Sequence, residues 1–387
     1  MPSSYRTFAI AGRQASKLEI VKEEILKHGN GVTSVGVIEA DTEDKDSLSR
    51  LAQLTRLVIN AVGPFRFHGK QVVDACVENG TSYLDICGEP EFIESIEFEY
   101  DEKARQKGVC LASACGFDSV PVDLGNAVVC SKFDNNCCTS IETFIQLHSG
   151  PSGLVLHYPT YESAVHGLGS ASELGMLRKR AAEKRNKVIR QSSFPLKMKR
   201  PGTYEPELDA YLIPFIGADA SVVKRTQYAL GQGYSSKIYM CLPNTWRFYQ
   251  FALYGSLFKT LARYSLGRTL LLTFPRAFCP IVSTTGPSAE QLKETTFQVT
   301  LVGKGFHSEN DTGEPNKSVR LTISGPEPGY LTCSICIVAM ARLIVQGDLI
   351  DTIGGGGVFT PASLLHKNQT AYIHLLEERG ISFTFEE

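Results

Sequence analysis

The 387 residues carry no surplus of either charge: 39 Lys and Arg stand against 41 Asp and Glu, a formal charge of −2. Nucleic acid attracts proteins that spread basic charge over a face, so this balance excludes global attraction to DNA or RNA. Metal chemistry has no visible frame either. The eleven cysteines show no paired C-x-x-C spacings with partner histidines, and the adjacent Cys137 and Cys138 cannot readily bridge one another across a trans peptide. Free, buried thiols in a reducing compartment are expected, with no metal site. Met1 to Arg13 lacks the basic start, apolar run and small-residue cleavage site of a secretory leader, which points to an intracellular protein. No internal repeat or low-complexity tract interrupts the chain. Even the aromatic stretch 246–282 has no uncharged run longer than the 11 residues Phe248 to Phe258, whereas a membrane-spanning helix takes about 20.

What is present is a globular composition, 43% hydrophobic and 21% charged, over a length that suits two packed domains. From the start, short β-branched runs alternate with longer stretches of helical period, the pattern of a parallel sheet with crossover helices. Strands are predicted at Tyr5 to Ala11, Ser34 to Glu39, Leu57 to Val62, Ser82 to Cys87 and Val109 to Cys115. Between them, helices are predicted at Ser16 to His28, Lys45 to Leu54 (capped by the Asp41/Thr42 region), His68 to Asn79 and Pro90 to Lys107. After about Asn136 the strands lengthen: Ile141 to His148, Lys237 to Leu242, Thr295 to Gly303 and Ser318 to Ser324. They are followed by an apolar helix at Tyr330 to Gln346 and a final helix and strand between Asn368 and Phe385. The predicted fold is α/β, a Rossmann-like parallel sheet in residues 1–136, with a second, α+β domain in 137–350 for substrate binding or dimerisation. A tail, 351–387, is expected to return to the first domain.

Four clusters carry candidate chemistry. Arg13 stands just past the first strand, at the place where an arginine suits the 2′-phosphate of NADP rather than the free ribose of NAD; the alternative is a solvated arginine in a turn. Ser16 and Asp41 join it as cofactor-binding candidates. Asn60-Ala61-Val62-Gly63-Pro64 follows an apolar strand and precedes a helix, so Asn60, Val62, Gly63 and Pro64 would line the crevice where a nicotinamide lies, or form a plain turn. Asp85 and Glu89 flank the next connection and offer two carboxylates for acid–base work, although Glu89 before Pro90 also reads as a helix-opening residue. In Gly116-Phe117-Asp118-Ser119, Asp118 is a further catalytic candidate, and with Ser119 an alternative helix cap.

The runs AIAGR, INAVGPFRFHG, YLDICGEPEF and GFDSVPVDLG, with LHSGPSGL at 147–154, YLIPFIGADASVVKRTQ at 211–227 and GGGVFTPASLL at 355–365, resemble the saccharopine dehydrogenase-like oxidoreductases along nearly the whole chain. The resemblance implies an NADP-binding Rossmann domain, an α+β domain and hydride transfer on an unidentified substrate. It also implies an earlier strand and a GxxGFTG-type loop whose amides receive the pyrophosphate. Nothing before Tyr5 supplies either, so NADP binding is expected to be weakened or absent. In the strand order 3-2-1-4-5-6 the missing strand is central. Either the neighbouring strands face a gap, or the Tyr5 strand moves over to pair with Leu57 to Val62.

Residues 178–200 hold ten Lys or Arg against the single Glu183. Beside the aromatic 246–282 stretch, read as an amphipathic helix pair, they suit an anionic lipid surface; a helix pair packed on the sheet, a homodimer contact and a solvated basic loop are the competing readings. The resemblance also points toward lipid droplets and intracellular membranes. Two functions are carried forward: an NADP-dependent oxidoreductase acting on a lipid-like substrate, and a non-catalytic membrane- or lipid-droplet-associated scaffold that keeps the fold without the cofactor. A cytoplasmic location fits if the lipid contact is absent.

Overall fold

A computed structural model describes residues 8–29, 31–134, 137–184, 192–347, 349 and 354–386. Tyr5 to Thr7 of the first predicted strand, 185–191 of the basic stretch and the segment boundaries placed at 136 and 350/351 lie outside the described residues. The first part alternates as β1 (Ala9–Gly12), α1 (Ala15–His28), β2 (Gly36–Glu39), α2 (Lys45–Gln53), β3 (Leu57–Asn60), α3 (Phe65–Glu78), β4 (Ser82–Asp85), α4 (Pro90–Lys107), β5 (Cys110–Ala112) and α5 (Val120–Cys130). Then come β6 (Cys138–His148), β7 (Leu156–His157), α6 (Tyr158–Gly169), α7 (Ala171–Lys184), β8 (Thr203–Glu205), β9 (Ala210–Pro214), α8 (Asp219–Leu230) and β10 (Ser235–Leu242). The remainder is α9 (Thr245–Ala262), α10 (Ser265–Thr273), α11 (Pro275–Phe278), β11 (Val282–Ser283), α12 (Ala289–Glu294), β12 (Thr296–Gly305), β13 (Lys317–Pro326), α13 (Cys333–Gln346), β14 (Gly357–Phe359), two short helices at Pro361–Leu364 and Gln369–Glu377, and β15 (Ser382–Glu386).

Local signals explain most boundaries. Pro90 opens α4, and Gly108 closes it in the left-handed region at φ 66°. The cap of α2 differs from the expectation at Asp41/Thr42. Asp44 is the N-cap, accepting the backbone N–H groups of Asp46 and Ser47, because only it stands at the reach those amides need.

The parallel strands β1 to β5, with β14, divide into two sheets. β14, β5, β4 and β3 form one, in that order, while β1 and β2 pair as a separate ribbon. Among the described residues β1 pairs only with β2, and β3 only with β4, so the first strand has not moved over to β3. The four-stranded sheet is covered on both faces. Val72, Cys76, Phe92, Ile93 and Ile96 from α3 and α4 pack against Tyr83 and Leu111, and α5 and α13 pack against Leu84, Cys110 and Ala112. That two-sided burial is the normal condition of parallel strands. The β1–β2 ribbon lacks it: α1 buries no residue, and Phe8, Ile20 and Val21 stand open to solvent.

The second sheet is seven-stranded and mixed, in the order β15-β13-β12-β6-β10-β9-β8, with only β10 and β6 parallel. Its inner face shares one hydrophobic core with the first sheet, through Leu301, Leu321, Ile323, α5 and α13. The stretch Pro328–Gln346 has the length and apolarity of a membrane span. Cys336, Ile337, Met340, Leu343 and Ile344 are nevertheless buried in that shared core, so it serves as a core helix. The C-terminal segment serves both sheets, β14 adding to the first and β15 to the second.

Candidate functional site

The carboxyl ends of β1 and β2 lie side by side. Gly12 is in register with Glu39, and Ala40 N–H donates to the Gly12 carbonyl (3.1 Å). Arg13 therefore leaves one strand end while Asp41 leaves the next. Arg13 lines a shallow pocket of about 240 Å³ with Gly12, Gln14, Lys17 and Leu18. Its floor is the start of α1, whose N-cap Gln14 makes no side-chain cap and whose first turn holds no acidic residue. An uncapped helix N-terminus beside two cations has the donors and the field that a phosphate requires. Ser16 sits exposed in this first turn, and Asp41 folds back to accept the Glu43 N–H (3.1 Å). Lys17 was not singled out from the sequence; only its place beside Arg13 marks it.

The other candidates gather at the carboxyl edge of the four-stranded sheet. Asn60 is buried, donates to the Tyr83 hydroxyl (3.2 Å) and accepts the Val62 N–H (3.0 Å), so it shapes the turn that leaves Ala61, Val62 and Gly63 exposed as a lip. Pro64 is buried and starts α3; its peptide bond to Gly63 is cis. This part of the crevice could hold the flat face of a nicotinamide against backbone.

The three carboxylates differ in how far their oxygens are engaged. Asp85 accepts from Cys87 N–H (2.9 Å) and Ala114 N–H (3.1 Å) on one oxygen and from the Ser113 hydroxyl (2.8 Å) on the other. Burial pushes its carboxyl up to about 6 against the pull of these donors. It pins Ala114 in the left-handed region at φ 61°, a conformation that costs a residue with a Cβ about 1 kcal/mol. Glu89 is equally committed. It accepts Phe65 N–H (2.8 Å), Arg66 Nε (2.9 Å) and the Ser163 hydroxyl (3.1 Å), and its side chain makes no helix-cap bond. Asp118 alone keeps a buried oxygen, Oδ1, without a donor. Ser119 occupies the N-cap of α5 but makes no cap bond, so the capping alternative for this pair is not what the structure holds.

Sequence reasoning missed the residues that join this edge to α6, α8 and the C-terminal segment. Arg66 spreads one guanidinium over Glu89 (2.9 Å), Glu91 (2.8 Å), the His166 carbonyl (3.1 Å) and Ser170 Oγ (2.6 Å). Asp123, fully buried, receives Thr226 Oγ1 (2.6 Å) from α8 and Ala362 N–H (2.8 Å) from the C-terminal segment. Each sits inside a motif, but no spacing announces a partner some 100 residues away.

A split Rossmann sheet with an anion-suited pocket at its second strand and a crevice along its carboxyl edge defines a dinucleotide-binding domain of the oxidoreductase type. Comparison with known proteins agrees. Residues 3–111 match the family model described as the saccharopine dehydrogenase NADP binding domain. The chain is 37% identical over 393 residues to a saccharopine dehydrogenase-like oxidoreductase of Rattus norvegicus, covering 99% of this chain and 90% of the relative. It is 33% identical to a lipid droplet localized protein of Caenorhabditis elegans, over 98% of this chain and 91% of that one. Among solved structures, apo saccharopine dehydrogenase (L-Glu forming) of Saccharomyces cerevisiae shares the fold with a TM-score of 0.53 at 12% identity, covering 98% and 94% of the two chains. The chain belongs to the saccharopine dehydrogenase-like oxidoreductase family.

Proposed function

We propose that this protein is an NADP-linked oxidoreductase that works on an apolar, lipid-like substrate at a lipid surface. The observation that carries the cofactor half is the pocket of Arg13 and Lys17 at the uncapped start of α1, where a 2′-phosphate meets two cations and free amides. Bound there, the cofactor would supply the hydride as NADPH or accept one as NADP+; Asn60, Val62, Gly63 and Pro64 would set the plane of its ring, and Asp85 and Glu89 would hold the crevice floor rigid. Isothermal titration with NADPH tests this: Arg13→Ala is expected to weaken binding at least tenfold, as loss of a charge-assisted pair of about 1.5–3 kcal/mol requires. No heat with the unaltered chain would favour the scaffold reading instead.

The lipid half rests on α9 and α10. Trp246, Tyr249, Phe251, Leu253 and Leu257 are exposed on α9, Leu266 and Leu270 on α10, and Phe274 just after it. The expected amphipathic stripe is absent from α9, whose apolar side chains are spread around its circumference. Such a surface calls for a cover, and a lipid interface fits the relative found at lipid droplets. The basic stretch contributes less than its composition suggests. Arg178 is spent on Glu94 (2.6 Å) and Lys199 on Glu205 (2.7 Å).

A further inference from the structure

Asp118 lies in the loop that leaves β5, and Asp219 opens α8 in the second domain. Their carboxyl groups come within hydrogen-bonding reach of each other. The Oδ1 atoms of both are buried without a hydrogen-bond partner among the described residues, and the neighbouring Ser119 hydroxyl faces Asp219. Asp219 is 2% exposed and Ser119 is fully buried. Asp118 is half-buried, but its Oδ1 is shut off from solvent; an ionised carboxylate only accepts, so two of them face to face leave lone pairs unmet and repel one another with little screening.

The surroundings offer one donor, the Ser119 hydroxyl, against two carboxyl groups. A Cβ on Gly88 would stand 2.6 Å from Asp118 Oδ2, and one on Gly217 would stand 3.2 Å from Oδ1, so the carboxylate is clasped between two glycine backbones. The titratable groups facing the pair are Cys87 and Cys333 on the side of Asp118, and Asp123 on the side of Asp219. Two are thiols and one is a further acid; none is a cation. The cation of this neighbourhood, Arg225, is bonded to Glu97 and acts on Asp123.

We propose that Asp118 and Asp219 hold one proton between them, and that this O–H···O contact fastens the N-terminus of α8 to the crevice edge of the nucleotide domain. A single proton converts two mutually repelling acceptors into a donor and an acceptor. The site is a proton site that ties two domains together, and it stands whether or not a dinucleotide binds.

Two readouts test it without any enzymatic assay. At pH 8, Asp85 and Asp123, which burial raises to about 6, are ionised, so infrared spectra of carbon-13-aspartate protein isolate the pair. A protonated-carboxyl band is expected in the unaltered protein and is lost in both Asp219→Asn and Asp118→Asn. Urea stability is the second readout. The pair is raised in the folded state, so its contribution is whole below the unfolded pKa and is lost as pH rises through the folded one. Stability of the unaltered chain therefore falls as pH rises. In Asp219→Asn the amide N–H donates to Asp118 at every pH, and the decline flattens. Absence of the band at pH 8, a band that survives both substitutions, or equal pH slopes in the unaltered and Asn proteins would overturn the proposal. Should neither variant fold, the spectrum of the unaltered protein decides alone.

Discussion

Arg66 shows what single side chains do here that a residue list does not reveal. Its guanidinium and Glu89 are both nearly buried, and Glu89 also holds the first N–H of α3. A buried ion pair adds little over a hydrophobic replacement, but losing one partner strands the other charge. Arg66→Ala is therefore expected to destabilise the protein by about 3–5 kcal/mol in urea denaturation, and a change below 1 kcal/mol would show that the pair is solvated. The candidates at this scale were legible as motif positions rather than as roles. Asp85 and Glu89 look in sequence like an acid and a base, yet every oxygen they have is engaged in holding turns. Asp118, readable as a plain cap, is the carboxylate with a free buried oxygen. A role follows from partners such as Ser163 or Asp219, which lie 74 and 101 positions beyond Glu89 and Asp118, and a linear pattern of 3.6 or 2 residues cannot encode that distance.

Helices and strands were more legible because their signals are local. Pro90 and Gly108 bracket α4, and β-branched runs mark β3 and β4. The contrast between β4, buried throughout, and the β1–α1–β2 unit, which buries almost nothing, gives these elements different stabilities. A two-stranded ribbon without a covered face is marginal by itself. Amide hydrogen exchange is expected to be fastest by orders of magnitude in β1 and α1 and slowest in β4 and β5; equal protection would mean that the ribbon is anchored by something other than its own packing. For α9 the sequence conveyed composition correctly and geometry poorly, since an aromatic-rich stretch with interspersed arginines reads as amphipathic until the helical phase is fixed. Replacing Trp246, Tyr249 and Leu253 together with serine should abolish flotation with anionic vesicles, a loss that the basic residues alone cannot rescue. Unchanged flotation would turn attention to a contact between two copies of the chain.

At the scale of the whole molecule, the two sheets share one core, and ionisable groups are buried along their seam. Asp85, Asp118, Asp123 and Asp219 are all raised by burial, and His166, lowered by burial, is the opposing group beside the seam. Raised carboxyls bind more protons folded than unfolded, so their stabilisation is present at low pH and lost as pH rises. Four groups against one predict a melting temperature that increases as pH is lowered from about 7.5 to 5.5. A temperature that falls over this range would show that these carboxylates are hydrated in solution. The order of the two sheets along the chain was legible from rhythm alone, but their interlocking was not: β14 returns to the first sheet and β15 to the second, because short apolar strands carry no mark of which edge they complete.

The central claim is that the strand ends of β1 and β2, together with the Asn60 to Pro64 lip, form one dinucleotide site. Amide chemical-shift mapping with NADPH and with NADH tests it most directly. NADPH should move Gly12, Arg13, Lys17 and Asp41 together with Ala61, Val62 and Gly63, and NADH should move the second group with little effect on Arg13 and Lys17. Shifts confined to other parts of the chain, or identical responses to the two nucleotides, would contradict it.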